Sequence, residues 1–130
     1  MTLDRELFSK LINERILFID GAYGTEFFKR GITKGSAPVE LLNATNPDAV
    51  RQLQDEYAEA GADFLLTNTF SGNRHKLRKL NCEEFFYDIN VNGVRIAKES
   101  ANKVRESYGR DVYVLGDISS VGEMIVPFGE

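Results

Sequence analysis

Residues 57–70 read YAEAGADFLLTNTF, and this stretch decides the fold class. A helical pattern ends at Gly61, which suits a helix stop, and the apolar run Asp63-Phe64-Leu65-Leu66 follows. A short apolar run of this kind is typical of a strand that is buried on both faces. The strand ends in the polar residues Thr67-Asn68-Thr69. A helix followed by a buried strand with a polar end is the repeating unit of parallel α/β folds.

Two further apolar runs have the same character. Ile16-Leu17-Phe18-Ile19 ends at Asp20-Gly21, and Val112-Tyr113-Val114-Leu115 ends at Gly116-Asp117. Both are predicted strands, and the first is expected to be buried on both faces. Strands that are separated by helices pair in parallel through right-handed crossovers. We therefore expect an α/β fold of parallel βα units.

Helical patterns fill the segments around these strands. Asn46-Pro47-Asp48 predicts a helix start, because asparagine caps, proline suits the first helical position and an acid favours the positive end of the helix dipole. Asn81, with Glu84 three positions later, resembles a capping pair for a second long helix. A first helix, predicted over 4–13, could plug the bottom of a barrel. The apolar positions are Val50, Leu53 and Tyr57 in the helix after Asn46. They are Phe85, Ile89, Ala97, Ala101 and Val104 in the helix after Asn81, and Leu7, Phe8, Leu11 and Ile12 in the first helix.

The length of the chain does not decide between the two possible architectures. Three strands in 130 residues fit either an open doubly wound sheet or a portion of a TIM barrel, which takes about 250 residues when complete. No linker divides the chain, so residues 1–130 are expected to form one incomplete domain of about three βα units. The loop-like residues 126–130 follow the third strand without a closing element, which is typical of truncation.

Composition excludes several classes of protein. Hydrophobic residues make up 42% and charged residues 28%, which argues against disorder, and the net charge of −4 gives no footprint for nucleic acid or anionic lipid. No apolar run approaches the ~20 residues of a membrane helix, and the amino terminus lacks a secretory pattern. Cys82, the single cysteine, cannot form an internal disulfide. These features predict a cytoplasmic protein without nucleic-acid or membrane partners.

Polar residues follow all three predicted strands, where parallel α/β folds build their binding sites. The Asp20 carboxylate could hold a substrate ammonium, and the glycines of Gly21-Ala22-Tyr23-Gly24 let backbone N–H groups approach an anion. An aspartate that caps a strand-to-helix turn is the competing interpretation. Thr67 and Asn68 could bind a polar ligand or could equally serve as caps. Asp117 is a weaker candidate, although three such strand ends together favour a site.

The single histidine, the single cysteine and the glycine-rich segment show no pattern typical of a catalytic, metal or nucleotide site. His75 lies in the basic stretch 74–79 without a cysteine or histidine cluster, so a solvated surface position is the expected one. Cys82 lies near a predicted helix start but is expected to be inert or partly buried. The segment GAYGTE lacks the third glycine of a dinucleotide-binding fingerprint, and no Walker-type lysine is present.

Four motifs in the correct order resemble the homocysteine S-methyltransferase family, with the methionine synthase branch the most similar. They cover essentially the whole chain: residues 19–25 are similar to DGAxGT, residues 46–50 to P-(D/E)-x-V, residues 57–70 to Y-x-x-A-G-A-D-x-(I/L)-x-T-N-T-F, and residues 116–129 to GDIGPTGE…P(L/F)G. One departure is Ser119-Ser120-Val121, which stands where the family has Gly-Pro-Thr.

The resemblance implies the N-terminal portion of a (β/α)8 TIM barrel. In this family a zinc ion, held by three cysteine thiolates, activates the homocysteine thiol for methyl transfer from a donor such as methylcobalamin. By resemblance Asp20 would take the homocysteine amino group, Gly21 and the neighbouring backbone of Ala22 would lie near its carboxylate, and a further three residues would line the pocket: Thr67, Asn68 and Asp117. The zinc-binding Asn-Cys and Gly-Gly-Cys-Cys segments of the family are not in this sequence. We therefore expect no metal ligand, no catalytic residue and no methyl transfer in the chain alone.

Two other functions fit the same residues. A half-barrel with exposed apolar strand edges could be a non-catalytic module that pairs with itself or with the missing barrel half. A complete small doubly wound domain could bind another anionic ligand.

Overall fold

The computed structural model of the protein describes residues 3–33 and 37–123. Within these ranges the elements are, in chain order, α1 Arg5–Glu14, α2 Tyr23–Lys29, a 3-10 turn Val39–Leu41, α3 Leu42–Thr45, α4 Pro47–Glu59, β1 Phe64–Leu66, α5 Arg74–Lys79, a second 3-10 turn Glu83–Phe85, α6 Phe86–Tyr108 and β2 Tyr113–Leu115. The loop-like residues 126–130, with the motif residues Pro127-Phe128-Gly129, lie outside the described residues.

The strands pair in parallel, as predicted. Leu65 of β1 is in register with Val114 of β2, and Ile19 forms an isolated parallel bridge with Phe64 on the other side of β1. The order across the sheet is therefore the same as the order along the chain. This arrangement confirms parallel βα units, and the order alone fits both a barrel segment and half of a doubly wound sheet.

The first predicted strand is only partly formed. Of residues 16–19, only Ile19 makes a bridge, and the exposed fractions of Ile16, Phe18 and Ile19 are 79%, 62% and 55%. The prediction that this run is buried on both faces was wrong. Its backbone bonds β1 along one edge, and no strand pairs with its other edge within residues 3–33 and 37–123. By contrast, Phe64 and Leu65 of β1 are buried as predicted.

Helix α4 begins and ends as the sequence predicts. The Asn46 side chain accepts a hydrogen bond from Ala49 N, Pro47 occupies the first turn, and Gly61 follows the helix with a φ of +113°. Its buried face packs with α2 and α6 in one cluster, where each fully buried aliphatic side chain contributes about 1.5–3 kcal/mol. The buried members of that cluster are Phe27, Val50, Leu53 and Ile96.

The start of α6 differs from the prediction. Asn81 has a φ of +55°, the left-handed conformation that follows a helix end, and it comes directly after α5 and Leu80. A 3-10 turn then leads into α6, whose N-cap residue Phe85 makes no side-chain capping bond. The proposed capping pair of Asn81 and Glu84 was therefore wrong. The predicted apolar face is confirmed at four positions that are buried: Ile89, Ala97, Ala101 and Val104.

Helix α1 lies at the amino-terminal end of β1. Asp4 caps it by accepting from Leu7 N at 2.8 Å, and the Phe8 and Phe64 rings meet edge to face at 6.3 Å. Arg15, just after α1, forms a two-pronged ion pair with Asp63 at 2.6 and 3.0 Å. No residue of helix α1 is buried. In the described part of the chain, no helix combines the length and the apolar character needed to cross a bilayer.

Candidate functional site

A cavity of about 410 Å³ opens where the strands end. Five of the six sequence-predicted site residues contribute to its wall, together with neighbours from α2, the first 3-10 turn and β1. The lining consists of Gly21, Ala22, Tyr23, Gly24, Val39, Glu40, Leu66, Thr67, Asn68, Phe70 and Asp117. Parallel pairing brings these separate segments together, because the carboxyl ends of β1 and β2 lie at one edge of the sheet.

Asp20, the sixth predicted residue, does not line this cavity; it lines a neighbouring one together with Phe18, Gly21 and Tyr57. Its Oδ2 accepts from Leu66 N at 3.0 Å and from the Tyr23 hydroxyl at 2.7 Å, and both of these partners line the first cavity. Its Oδ1 is buried and has no hydrogen-bond partner among residues 3–33 and 37–123. One carboxylate oxygen is thus fixed in place while the other has unused acceptor capacity.

Thr67 joins the ends of the two strands. The backbone N–H of Asp117 donates to Thr67 Oγ1 at 2.9 Å, and Thr69 Oγ1 donates to the carbonyl of Asp117 at 2.8 Å. The two hydroxyls are 2.7 Å apart, and because the Thr69 proton serves Asp117, Thr67 donates to Thr69. This closed ring of three bonds, which we call the threonine clamp, uses the Thr67 hydroxyl for structure as well as for the cavity wall.

Asn68 is likewise held by the protein. Its Nδ2 donates to the carbonyl of Val39 and to Asn43 Oδ1, both at 3.0 Å. Asn43 in turn donates to the carbonyls of Asn68 and Ile89, at 2.7 and 2.8 Å. The amide N–H groups of Asn68 are therefore committed, and Asn68 Oδ1 takes part in none of these four bonds.

Glu40 is a cavity residue that the sequence reasoning missed. It is only 3% exposed, and its Oε1 accepts from Ser71 N at 2.7 Å. No cation lies within ion-pair distance of it among the described residues. The available signal was an acid placed inside the apolar run Val39-Glu40-Leu41-Leu42, where a charge is costly unless it has a partner or a purpose.

Two aspartates at the cavity, Asp20 and Asp117, have a side-chain pKa above the ordinary value. Burial raises the pKa of Asp20, hydrogen bonds from Tyr23 and Leu66 N partly oppose this, and the nearby charge of Asp117 adds to the increase. Burial also raises the pKa of Asp117. Carboxylates that are desolvated in this way attract a cationic group, because binding the cation relieves the cost of their charge.

Two other residues lie apart from this cavity. His75 is exposed and its Nε2 lies 2.6 Å from Glu123 Oε1, which agrees with a surface position. Cys82 is buried beside Leu77 and Ile89, and its thiol donates to the carbonyl of Leu80 at 3.2 Å. Over 3–33 and 37–123, no group of three or more histidine, cysteine, aspartate or glutamate side chains could hold a metal ion.

Two solved structures share this fold. They are the homocysteine methyltransferase MmuM from Escherichia coli in a metallated form, with a TM-score of 0.75 and 19% identity, and in an oxidised form, with a TM-score of 0.74 and 20% identity. The matches cover 87% and 86% of this chain but only 41% and 40% of MmuM. At this identity the likeness concerns the fold.

Sequence comparison identifies the family. Methionine synthase from Mycobacterium tuberculosis is 33% identical over 113 residues, and that from Mycobacterium leprae is 32% identical over 110 residues. These matches cover 83% and 81% of this chain, and the chain spans only 9% of the length of either relative. The family model for homocysteine S-methyltransferase matches residues 17–129. Because this match extends over nearly the whole sequence and includes all three strand ends, the chain belongs to the homocysteine S-methyltransferase family.

Proposed function

We propose that the chain forms part of the homocysteine pocket of a methionine synthase-like enzyme, which methylates the homocysteine thiolate to give methionine. One observation carries this proposal: residues from three strand ends, predicted separately, surround or adjoin one cavity. Its volume of about 410 Å³ lies in the range of small-molecule binding pockets.

The proposed roles follow the chemistry of each group. Asp20, whose carboxylate is bonded to the cavity residues Tyr23 and Leu66, takes the homocysteine ammonium. Gly21 and Ala22 place backbone N–H groups near the substrate carboxylate. Thr67 and Asn68 form the polar wall after β1, and Asp117 adds negative charge after the neighbouring strand β2.

Zinc does not fit the residues that are described here. The family resemblance implies three cysteine thiolates, whereas Cys82 is the single cysteine and is buried against Leu77, away from the cavity. We propose that the metal ligands of the parent enzyme lie outside this chain, and that the isolated chain binds no stoichiometric zinc and transfers no methyl group. Methylcobalamin is one of the methyl donors that the family resemblance implies for the parent. Mass spectrometry of the purified chain tests the metal proposal, and one tightly held zinc per chain would contradict it.

The exposed edge of the sheet also indicates that a partner covers it. Ile16, Phe18 and Ile19 leave apolar surface exposed along the edge of the first strand segment. We propose that the remainder of a (β/α)8 barrel covers this edge in a cytoplasmic parent enzyme. Self-association as a non-catalytic half-barrel is the alternative that the same exposed edge favours. Sedimentation separates them, since a monomer at high concentration argues against self-pairing.

The homocysteine proposal has a direct test. Addition of L-homocysteine to the ¹⁵N-labelled chain under reducing conditions should shift the amide signals of Gly21, Ala22, Asn68 and Asp117. The matched ligand is L-methionine, whose thioether cannot form a thiolate but whose amino-acid end is the same. Unchanged signals with both ligands would contradict an amino-acid pocket in this chain.

A further inference from the structure

Tyr23 lies between two acceptors and has only one proton to give. Its hydroxyl oxygen is 2.7 Å from Asp20 Oδ2 and 2.9 Å from the carbonyl oxygen of Leu66. A phenol can donate a single hydrogen bond, so one of these contacts must take the proton. A third residue determines which one.

That third residue is Gln54, a fully buried side chain of α4. Its Nε2 lies 3.0 Å from the carbonyl of Leu66 and 2.9 Å from the Tyr23 hydroxyl oxygen. A carbonyl can only accept, so the NH2 group must face Leu66, and its two N–H groups serve Leu66 and Tyr23. With Leu66 already supplied by Gln54, the Tyr23 proton is directed to Asp20, where a charged acceptor makes the stronger bond.

This network fixes the orientation of the Asp20 carboxylate. Leu66 N and Tyr23 together hold Asp20 Oδ2, while Oδ1 is buried and lacks a partner within the described ranges. A buried oxygen without a donor is costly unless a ligand supplies one. The arrangement therefore keeps acceptor capacity at one defined atom.

We propose that Gln54 and Tyr23 form a hydrogen-bond relay that fixes the orientation of the Asp20 carboxylate, which in the proposed function meets the ammonium of the substrate. Tyr23 and Gln54 are positioning residues in this scheme, since they act through Asp20. The inference rests on the proposed homocysteine site, although the relay can be measured without any ligand.

The relay also acts on the protonation of Asp20. Burial raises the pKa of this carboxyl, the Tyr23 hydrogen bond lowers it, and the charge of Asp117 raises it. Removal of the Tyr23 hydroxyl should therefore raise the pKa of Asp20 further. A protonated Asp20 would no longer form an ion pair with an ammonium group.

The experiment compares Tyr23→Phe with Tyr57→Phe. The Tyr57 hydroxyl donates to the carbonyl of Ala22 at 2.9 Å, and its ring lies 6.2 Å from that of Tyr23, so this control removes a neighbouring hydroxyl outside the relay. A ¹³C NMR titration gives the pKa of the Asp20 carboxyl in each protein. We expect an increase in Tyr23→Phe and the wild-type value in Tyr57→Phe.

Gln54→Met supplies an independent variant if Tyr23→Phe does not fold. Without the Gln54 donors, the Tyr23 proton is shared between Leu66 and Asp20, so a smaller increase of the Asp20 pKa is expected. An unchanged Asp20 pKa in the folded variant, or an equal change in Tyr57→Phe, would overturn the relay.

A ligand titration separates the relay from the function. If both hold, Tyr23→Phe weakens L-homocysteine binding about tenfold, the loss expected for one charge-assisted hydrogen bond, and Tyr57→Phe weakens it less. Altered Asp20 titration with no homocysteine binding by any of the proteins would support the relay and contradict the proposed function. An unaltered Asp20 pKa in Tyr23→Phe, with homocysteine binding retained, would contradict the relay and support the proposed function.

Discussion

The hydroxyl of Tyr23 donates to Asp20 Oδ2 across 2.7 Å, although that oxygen already accepts the Leu66 N–H. Even with these two donors, burial keeps the pKa of Asp20 above its ordinary value. The ionised carboxylate is therefore less favourable in the folded chain than in the unfolded one. A titratable group that costs stability but adjoins a cavity is characteristic of a binding site.

Asp20→Asn should stabilise the chain at neutral pH. The folded-state pKa of Asp20 is raised, so its ionised form lowers stability above that pKa, and the penalty disappears as pH falls towards the ordinary value of about 4. The amide Oδ1 can still accept from Leu66 N and Tyr23. We expect a higher melting temperature than wild type at neutral pH, no difference near pH 4, and loss of homocysteine binding. Exposed Asp88→Asn is the control, and a lower melting temperature for Asp20→Asn at neutral pH would contradict the argument.

The ion pair of Arg15 with Asp63 should give the opposite pH dependence. The Arg15 hydrogen bond lowers the pKa of Asp63, which also accepts from Phe18 N. Such a group contributes stability above the ordinary aspartate pKa and loses it as pH falls through the lowered pKa. Arg15→Met should lower the melting temperature at neutral pH and flatten its fall in acid, as measured by thermal unfolding at several pH values.

Arg78→Met is the matched control, because Arg78 pairs with Glu83 on the exposed surface. Surface pairs of this kind contribute little, so a smaller effect is expected. Equal effects of the two variants at every pH would argue against a special role for Arg15.

Local sequence patterns predicted the elements whose causes are local. The start of α4 follows from Asn46-Pro47-Asp48, because a cap needs only residues within one turn, and Gly61 ends the helix by its own backbone freedom. The same kind of local pattern failed at Asn81, where a preceding helix end outweighed a capping pair.

The buried polar residues could not be predicted in this way. Glu40, Asn43 and Gln54 find their partners between 12 and 46 positions away along the chain, so no short window contains the reason for their burial. The meeting of the strand-end residues at one edge was easier to predict, because parallel strands always end at the same edge of the sheet. What the sequence did not show is that Thr67 also joins the two strand ends, and that Asn68 is bonded to Val39 and Asn43.

Gly93 of α6 shows how packing can outweigh helix propensity. A Cβ at this position would lie 2.7 Å from Thr69 Cγ2 and 2.8 Å from Asn43 Nδ2. Alanine is favoured over glycine in a helix by about 1 kcal/mol, but overpacking of this kind costs about 1–3 kcal/mol. We expect Gly93→Ala to be destabilised by roughly 1 kcal/mol in urea unfolding. The control is Asn102→Ala on the same helix, and a Gly93→Ala chain more stable than wild type would contradict the expected clash.

Glu40→Gln tests whether the buried carboxylate of Glu40 contributes to ligand binding in the cavity. Glutamine can still accept from Ser71 N, so the fold should be kept while the negative charge is removed. We expect L-homocysteine to bind about tenfold more weakly, and its deaminated analogue 4-mercaptobutanoate to bind no worse than to wild type. Calorimetry with both ligands measures this, and exposed Glu106→Gln is the control. An equal loss for the two ligands would show that Glu40 does not recognise the ammonium.

Thr67→Val tests the threonine clamp. Valine has nearly the same volume as threonine, but it removes the acceptor of the Asp117 N–H and the donor to Thr69. Leaving a buried polar group without its partner costs about 1–3 kcal/mol, so urea unfolding should show a loss of that size. Hydrogen exchange of the Asp117 amide should also become faster. Thr67→Ser keeps the hydroxyl and loses a methyl group, so its Asp117 exchange should remain close to wild type even if its stability falls. If Thr67→Val protected the Asp117 amide as well as Thr67→Ser does, the hydroxyl would not be what joins the two strand ends.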